Sequence, residues 1–262
     1  MFKAFFSFFL FTSFLLAYVD SDMDGVPDEN DRCTNTPLTE LVDLSGCTIK
    51  KLISEHNFDL VLGQSYVEDS ISTLSLSTIK MDYYYKNWSM QLATSYYKSS
   101  LDIVNSSGQN DTYLSLFYLF NPLDNFFLTL GGGIVFPTYD VVDNNMDYTA
   151  SLYARYKIEK WSLIMGTGYN KIGDIDSSNN LNYNNKLSYN LGVGYAWDNK
   201  FYSSLGYSRS NSAITTIEDL ETLSLYGYYP MDKHWFASVN YGYGLSAINK
   251  RENIGVSLGY FW

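Results

Sequence analysis

The sequence predicts an all-β protein, an antiparallel transmembrane β-barrel of about 12 strands preceded by a small segment that a disulfide closes. Three observations carry that prediction. From Phe58 onward apolar residues recur at every second position, the period of a strand, in segment after segment. The connections between those segments alternate between tight turns and longer polar stretches. Finally, 18% of the residues are aromatic and only 17% charged, a balance that suits belts of Tyr and Trp at a membrane surface, where an apolar body and a polar tip are both satisfied.

Composition narrows the partners. After the first 17 residues there is no apolar run near the ~20 residues that a membrane helix needs, so any span is built from strands. A net charge of −11 argues against nucleic acid, because phosphate binding requires clustered Lys and Arg; it fits a partnership with cations.

In chain order, Met1 to Ala17 carries Lys3 ahead of an almost unbroken apolar stretch and reads as a secretory signal peptide. An acidic stretch follows. With Asp20 as loop position 1, the carboxylates of Asp20, Asp22, Asp24, Asp28 and Asp31 stand at positions 1, 3, 5, 9 and 12, Gly25 at 6, and the carbonyl of Val26 at 7. Those are the ligand positions of an EF-hand calcium loop: Ca²⁺ takes six to eight oxygens, and alternate Asp side chains on a tightly turning backbone supply them. No amphipathic helix flanks the loop, and position 12 is Asp where an EF-hand has Glu. Asp-x-Asp-x-Asp-Gly-x-x-Asp-x-x-Asp-x-Cys from Asp20 to Cys33 resembles instead a thrombospondin type 3 repeat. The resemblance continues through Thr34 to Pro37 and Val42 to Cys47, as in the calcium-binding linkers of OmpA-family outer-membrane proteins. It implies Ca²⁺ held by Asp20, Asp22, Asp24, Val26, Asp28 and Asp31.

Cys33 and Cys47 are the only cysteines, and an even pair in an exported chain forms a disulfide most simply; closing a loop of that size stabilises by ~3 kcal/mol in the chain-entropy model. The expected organisation is signal peptide 1–17, calcium-binding repeat 18–47, connector 48–56 with about one helical turn, and barrel 57–262.

Twelve strands are expected near 57–67, 71–86, 88–98, 110–120, 125–136, 147–158, 161–171, 184–197, 200–209, 217–229, 234–243 and 252–262. In the last one Ile254, Val256, Leu258, Tyr260 and Trp262 share a face, with Asn253, Gly255, Ser257 and Gly259 on the other; ending on an aromatic, it resembles the C-terminal signature of bacterial outer-membrane barrels. Tight turns fall at Lys86-Asn87, Asn121 to Asp124, Glu159-Lys160, Asp198-Asn199 and Pro230 to Lys233, and a less regular hairpin turns near Glu68-Asp69. Longer connections lie around 99–109, 137–146, 172–183, 210–216 and 244–251. Short turns are periplasmic and long loops extracellular in such barrels, and an even strand count leaves both ends, and so the repeat, in the periplasm.

Asp102, Asp111, Asp140, Asp143, Asp147, Asp174 and Asp176 crowd the long loops, where they serve solubility, attract cations or bridge to surface lipid through divalent ions. The two His, His56 and His234, both fall at the periplasmic end, which removes a His-dependent catalytic site from the outer rim and leaves a non-enzyme. The inferred inward positions are mostly Gly, Ser and Asn, with Tyr153 and Arg155 among the larger side chains. A lumen lined by small residues leaves space, which points to a narrow pore for small solutes or ions in contact with outer-membrane lipid. The alternative is a structural or adhesion barrel that displays its acidic outer loops.

Overall fold

The computed structural model describes residues 22, 26–36, 40–51, 56–68, 72–101, 104–139, 143–174, 183–214, 218–246 and 251–262. The expected signal peptide lies outside the described residues, as do Asp20, Asp24, Asp69, Asp102, Asp140 and Asp176. The chain divides into two compact units, Met1–Glu55 and His56–Trp262.

In the first unit β1 (Glu40–Val42) pairs antiparallel with β2 (Thr48–Lys51), with a register irregularity between Leu41 and Val42. Asp43 builds the turn between them. Its Oδ1 accepts hydrogen bonds from Ser45 N at 2.8 Å, Ser45 Oγ at 2.6 Å and Cys47 N at 3.1 Å, while Gly46 takes the left-handed conformation, φ 76°, that closes it. Cys33 and Cys47 are disulfide-bonded, with 5.1 Å between their Cα atoms. The expected connector is therefore partly ordered differently: Thr48–Lys51 is a strand, not a helical turn, because β1 offers its edge across a turn that the disulfide and Asp43 hold.

The second unit contains β3 (His56–Glu68), β4 (Ser72–Tyr85), β5 (Trp88–Leu101), β6 (Val104–Gln109), β7 (Thr112–Leu123), β8 (Phe126–Phe136) and β9 (Asp147–Ile158). It continues with β10 (Trp161–Lys171), β11 (Lys186–Ala196), β12 (Tyr202–Ser210), β13 (Leu220–Pro230), β14 (Trp235–Gly244) and β15 (Glu252–Phe261). All pairings are antiparallel. β3 pairs with both β4 and β15, so twelve of these strands close into a ring, and β6 stands outside it, paired along the far half of β5. That strand is a correction to the long loop expected at 99–109. β7 also runs three residues further than expected, through Pro122 to Leu123, by way of a register irregularity at Phe120/Leu123 that accommodates a residue with no N–H to donate.

The seam is made by the closing strand. β15 pairs with β3 from Glu252↔Glu68 to Phe261↔Asp59, and Phe58 and Trp262 then exchange both backbone hydrogen bonds, at 2.9 and 3.0 Å, with their rings stacked 5.8 Å apart. Register fixes each side chain's face around the whole ring. Leu163, Val193, Leu205, Leu225, Tyr241 and Ile254 sit on one face and Ile164, Gly192, Gly206, Ser224, Gly242 and Asn253 on the other. The apolar face is the exposed one, with Leu191 60% and Val256 56% accessible, so it meets lipid and the small polar face lines the interior. At the tight-turn end, outward aromatics pack edge to face across strands in pairs such as Trp88–Tyr118, Trp161–Tyr195 and Trp235–Tyr260, with centroids 4.7, 4.7 and 4.9 Å apart.

Inside, large rings lie along the wall over glycines. Phe117 faces Gly131, Tyr153 faces Gly166 and Phe236 faces Gly259 in register, and a Cβ added at Gly131 would come within 2.5 Å of the Phe117 ring. Gly132, one residue on, points outward with no side chain close to it. Gly131→Val should therefore destabilise the barrel by about 1–3 kcal/mol through overpacking, whereas Gly132→Val should leave its urea unfolding midpoint in detergent nearly unchanged.

Candidate functional site

The interior wall and the outer rim carry the chemistry that the barrel can do. On the inward strand positions, among the described residues, three carboxylates (Asp59, Asp82 and Asp147) stand against four cations (Lys80, Arg155, Lys157 and Lys186). Asp59 and Asp82 are cross-strand neighbours and would repel each other unless partnered. Lys80 Nζ lies 2.9 Å from Asp82 Oδ2, Gln91 donates to Asp82 Oδ1 at 2.7 Å, and Tyr84 donates to Asp59 Oδ2 at 3.0 Å. Asp59 Oδ1 is buried without a hydrogen-bond donor among the described residues. On β9, Arg155 and Lys157 lie over the Phe127 ring, 5.5 and 4.8 Å from its centroid. Beyond them toward the outer end, a cavity of about 430 Å³ is lined by Ser115, Phe117, Ser151, Tyr153, Asn170 and Lys186.

A larger hollow of about 660 Å³ lies on the other side of the wall, where outward Ser203 and Gly227 leave a notch among Trp161, Tyr195, Trp197 and Tyr241. Its apolar lining faces lipid.

At the outer rim the acidic residues are hydrogen-bond acceptors. Asp111 Oδ1 accepts from Tyr139 N and Asn144 Nδ2, both at 2.9 Å, Asp174 Oδ1 from Asn145 N at 2.8 Å, and Asp147 Oδ1 from Gly173 N at 2.7 Å. Three connections are thereby tied together. Burial raises the Asp174 carboxyl above its ordinary value, helped by Asp147 and Asp111 and opposed by the Asn145 N–H. Of the loop Asp residues that the sequence offered as cation attractors, Asp111, Asp147 and Asp174 are thus occupied in holding loop backbone.

In the N-terminal unit Asp22 Oδ2 accepts from Thr36 N at 2.7 Å, and Asp31 Oδ1 from Cys33 N at 2.7 Å; Val26 is buried and Asp28 exposed. Thr36 Oγ1 in turn lies 2.7 Å from Gly46 O, so the acidic stretch is folded against the disulfide loop. Among the described residues no group of three His, Cys, Asp or Glu side chains is placed to hold a metal ion; Asp20 and Asp24, two of the six expected ligands, lie outside them.

Both histidines sit at the tight-turn end, as the sequence places them. His56 Nδ1 is 2.7 Å from Tyr83 Oη with its ring on Tyr85, and His234 Nδ1 is 2.9 Å from Phe261 O with its ring on Tyr260. Arg155 was legible as inward from the sequence; Lys80, Lys157 and Lys186 were missed, although the same count of two that leads from Tyr153 to Arg155 leads on to Lys157.

A family model described as "Putative MetA-pathway of phenol degradation" matches residues 35–218. No curated protein matches the sequence. An outer-membrane channel from Pseudomonas putida F1 superposes with a TM-score of 0.64 at 11% identity, over 79% of this chain and 95% of that one. The NanC porin gives 0.56 at 12%, over 77% and 98%, and the translocator domain of the autotransporter NalP from Neisseria meningitidis gives 0.55 at 12%, over 79% and 88%. At these identities the likeness is one of fold, the closed antiparallel outer-membrane barrel.

Two measurements check the loop assignments. Asp111→Ala removes the acceptor for Tyr139 and Asn144, and proteinase K should then cut within 137–146 about tenfold faster, with the barrel's melting temperature unchanged. Hydrogen bonds from Ser45 Oγ, Ser45 N and Cys47 N hold the Asp43 carboxyl below its ordinary value. A depressed carboxylate contributes stability above its unfolded pKa and loses it as pH falls through the folded one, so amide protection of Gly46 and Cys47 should decline below about pH 4, and in Asp43→Asn that pH dependence should vanish.

Proposed function

This chain belongs to the family described as putative MetA-pathway of phenol degradation, and we propose that it serves the outer membrane as a narrow pore for small solutes or ions, small aromatic compounds among them. The observation that carries the proposal is the construction of the inner wall. Gly, Ser, Thr and Asn occupy most inward positions, and the large inward rings of Phe117, Tyr153 and Phe236 lie along the wall over Gly131, Gly166 and Gly259 instead of projecting across the lumen. A ring of twelve strands is wider than the eight whose side chains fill their own interior, so the space that these residues decline to fill is available to solute. The family's description, a pathway of phenol degradation, supports small aromatic compounds as solutes, and the fold is that of outer-membrane channels and porins.

The N-terminal unit, on this reading, is a periplasmic calcium-binding repeat. Asp20, Asp22, Asp24, Asp28 and Asp31 with the Val26 carbonyl are its ligands by spacing, and the hydrogen bonds that fix Asp22 and Asp31 against the disulfide loop support a folded acidic segment instead of a solvated tail. Bound Ca²⁺ would neutralise like charges crowded on one turn of chain and stiffen the segment. Extracellular modules of this kind bind at about 10⁻⁴–10⁻³ M, a range that suits structure better than signalling.

Planar-bilayer recording of the refolded full chain tests the pore. Steady single-channel steps are expected; silence from protein shown to be folded would transfer the assignment to a structural or adhesion barrel that displays its outer loops. Calorimetric titration of the same protein should give a Ca²⁺ dissociation constant of about 10⁻⁴–10⁻³ M, lost in Asp22→Asn/Asp28→Asn.

A further inference from the structure

The chain carries a net charge of −11, but its lumen does not share that sign. Asp82 is ion-paired with Lys80 and bonded by Gln91, Asp59 is bonded by Tyr84, and Asp147 holds Gly173. Arg155, Lys157 and Lys186 have no carboxylate partner among the described residues. Arg155 and Lys157 are exposed to the interior, two positions apart on β9, above a ring that cannot neutralise them.

We propose that Arg155 and Lys157, backed by Phe127, form an anion-binding subsite on the lumen wall that takes small carboxylates with a flat apolar body. The inference rests on the pore reading and specifies one class of solute for it. Arg155 is the register partner of Phe127 on one side and of Ile164 on the other, and Lys157 that of Ser162, so each cation has a flat or small neighbour and its donors are free to point inward. The guanidinium offers paired N–H groups that match a carboxylate, and Lys157 adds a second charge one step closer to the turn. On the same wall Phe117, Phe127 and Tyr153 come from consecutive strands of the ring and present ring surface to the rest of the ligand. Tyr153 lies over Gly166, which keeps the space beside Arg155 open. The carboxylates on β3 and β4 stand as far above their tight turn at Lys86 as Arg155 does above the turn at Glu159, so an entering anion meets partnered acids on one arc of the wall and unpartnered cations on another.

Benzoate is the probe. Calorimetric titration of the refolded full chain should show benzoate binding that weakens at least about tenfold in Arg155→Gln/Lys157→Gln, with Lys171→Gln on the outward face unchanged and Arg155→Lys intermediate, because an ammonium keeps the charge but not the paired N–H groups. Neutral phenol should show no such difference between wild type and double variant. Under a salt gradient in planar bilayers the wild type should favour chloride over potassium and the double variant should lose that preference. Equal benzoate affinity in a folded double variant, or no benzoate binding to folded wild type, would overturn the subsite. Should the double variant not fold, the single variants Arg155→Gln and Lys157→Gln decide in the same way. Benzoate binding without conductance would retain the subsite and remove the pore, and conductance without benzoate binding would do the reverse.

Discussion

Everything in the barrel depends on one constraint: in hydrocarbon, each backbone N–H and C=O must find its partner inside the protein. An open sheet leaves two edges unpaired, so the first and last strands of the ring have to meet. β15 and β3 do so along ten residue pairs, and the chain's final aromatic, Trp262, completes the seam by exchanging both hydrogen bonds with Phe58. Once the ring is closed in that register, strand parity is no longer negotiable. A slip of one residue would turn Val256 and Leu258 into the lumen and Gly255 and Ser257 toward lipid.

That constraint explains what could be read without coordinates. Inside the bilayer two different solvents press on the two faces of every strand, so the composition alternates and the twelve spanning strands are visible to within a few residues. Beyond the lipid the pressure disappears. β6, Val-Asn-Ser-Ser-Gly-Gln, has no apolar face because it needs none; it is held by backbone pairing to the far half of β5, and no side-chain pattern announces it. Pro122 signals a turn, but the turn comes later because an irregular register lets the strand pass through it. The loop carboxylates were legible as a concentration of charge, whereas their use was not: that Asp111 holds Tyr139 and Asn144, or that Asp174 holds Asn145, is a matter of loop geometry. In the N-terminal segment spacing named the cysteine pair correctly, and missed the short hairpin that Asp43 turns.

Net charge is a poor guide to a lumen for the same reason. A chain with 28 acidic and 17 basic residues places its acids largely in connections and its N-terminal segment, and the twelve inward stripes hold four cations against three carboxylates among the described residues. Glycines opposite Phe117, Tyr153 and Phe236 let large rings lie flat, so that a wall rich in aromatics can still surround open space.

The proposed pore requires that this inner face be wet along its whole length. Single cysteines at inward Ser151, Ser224 and Ser257, and at outward Leu152, Leu225 and Val256 as their neighbours, test it by reaction with a membrane-impermeant charged thiol reagent in outer-membrane vesicles. Rapid labelling of all three inward positions and none of the outward ones is expected. Inert inward cysteines in a folded barrel would mean a sealed interior and would contradict it.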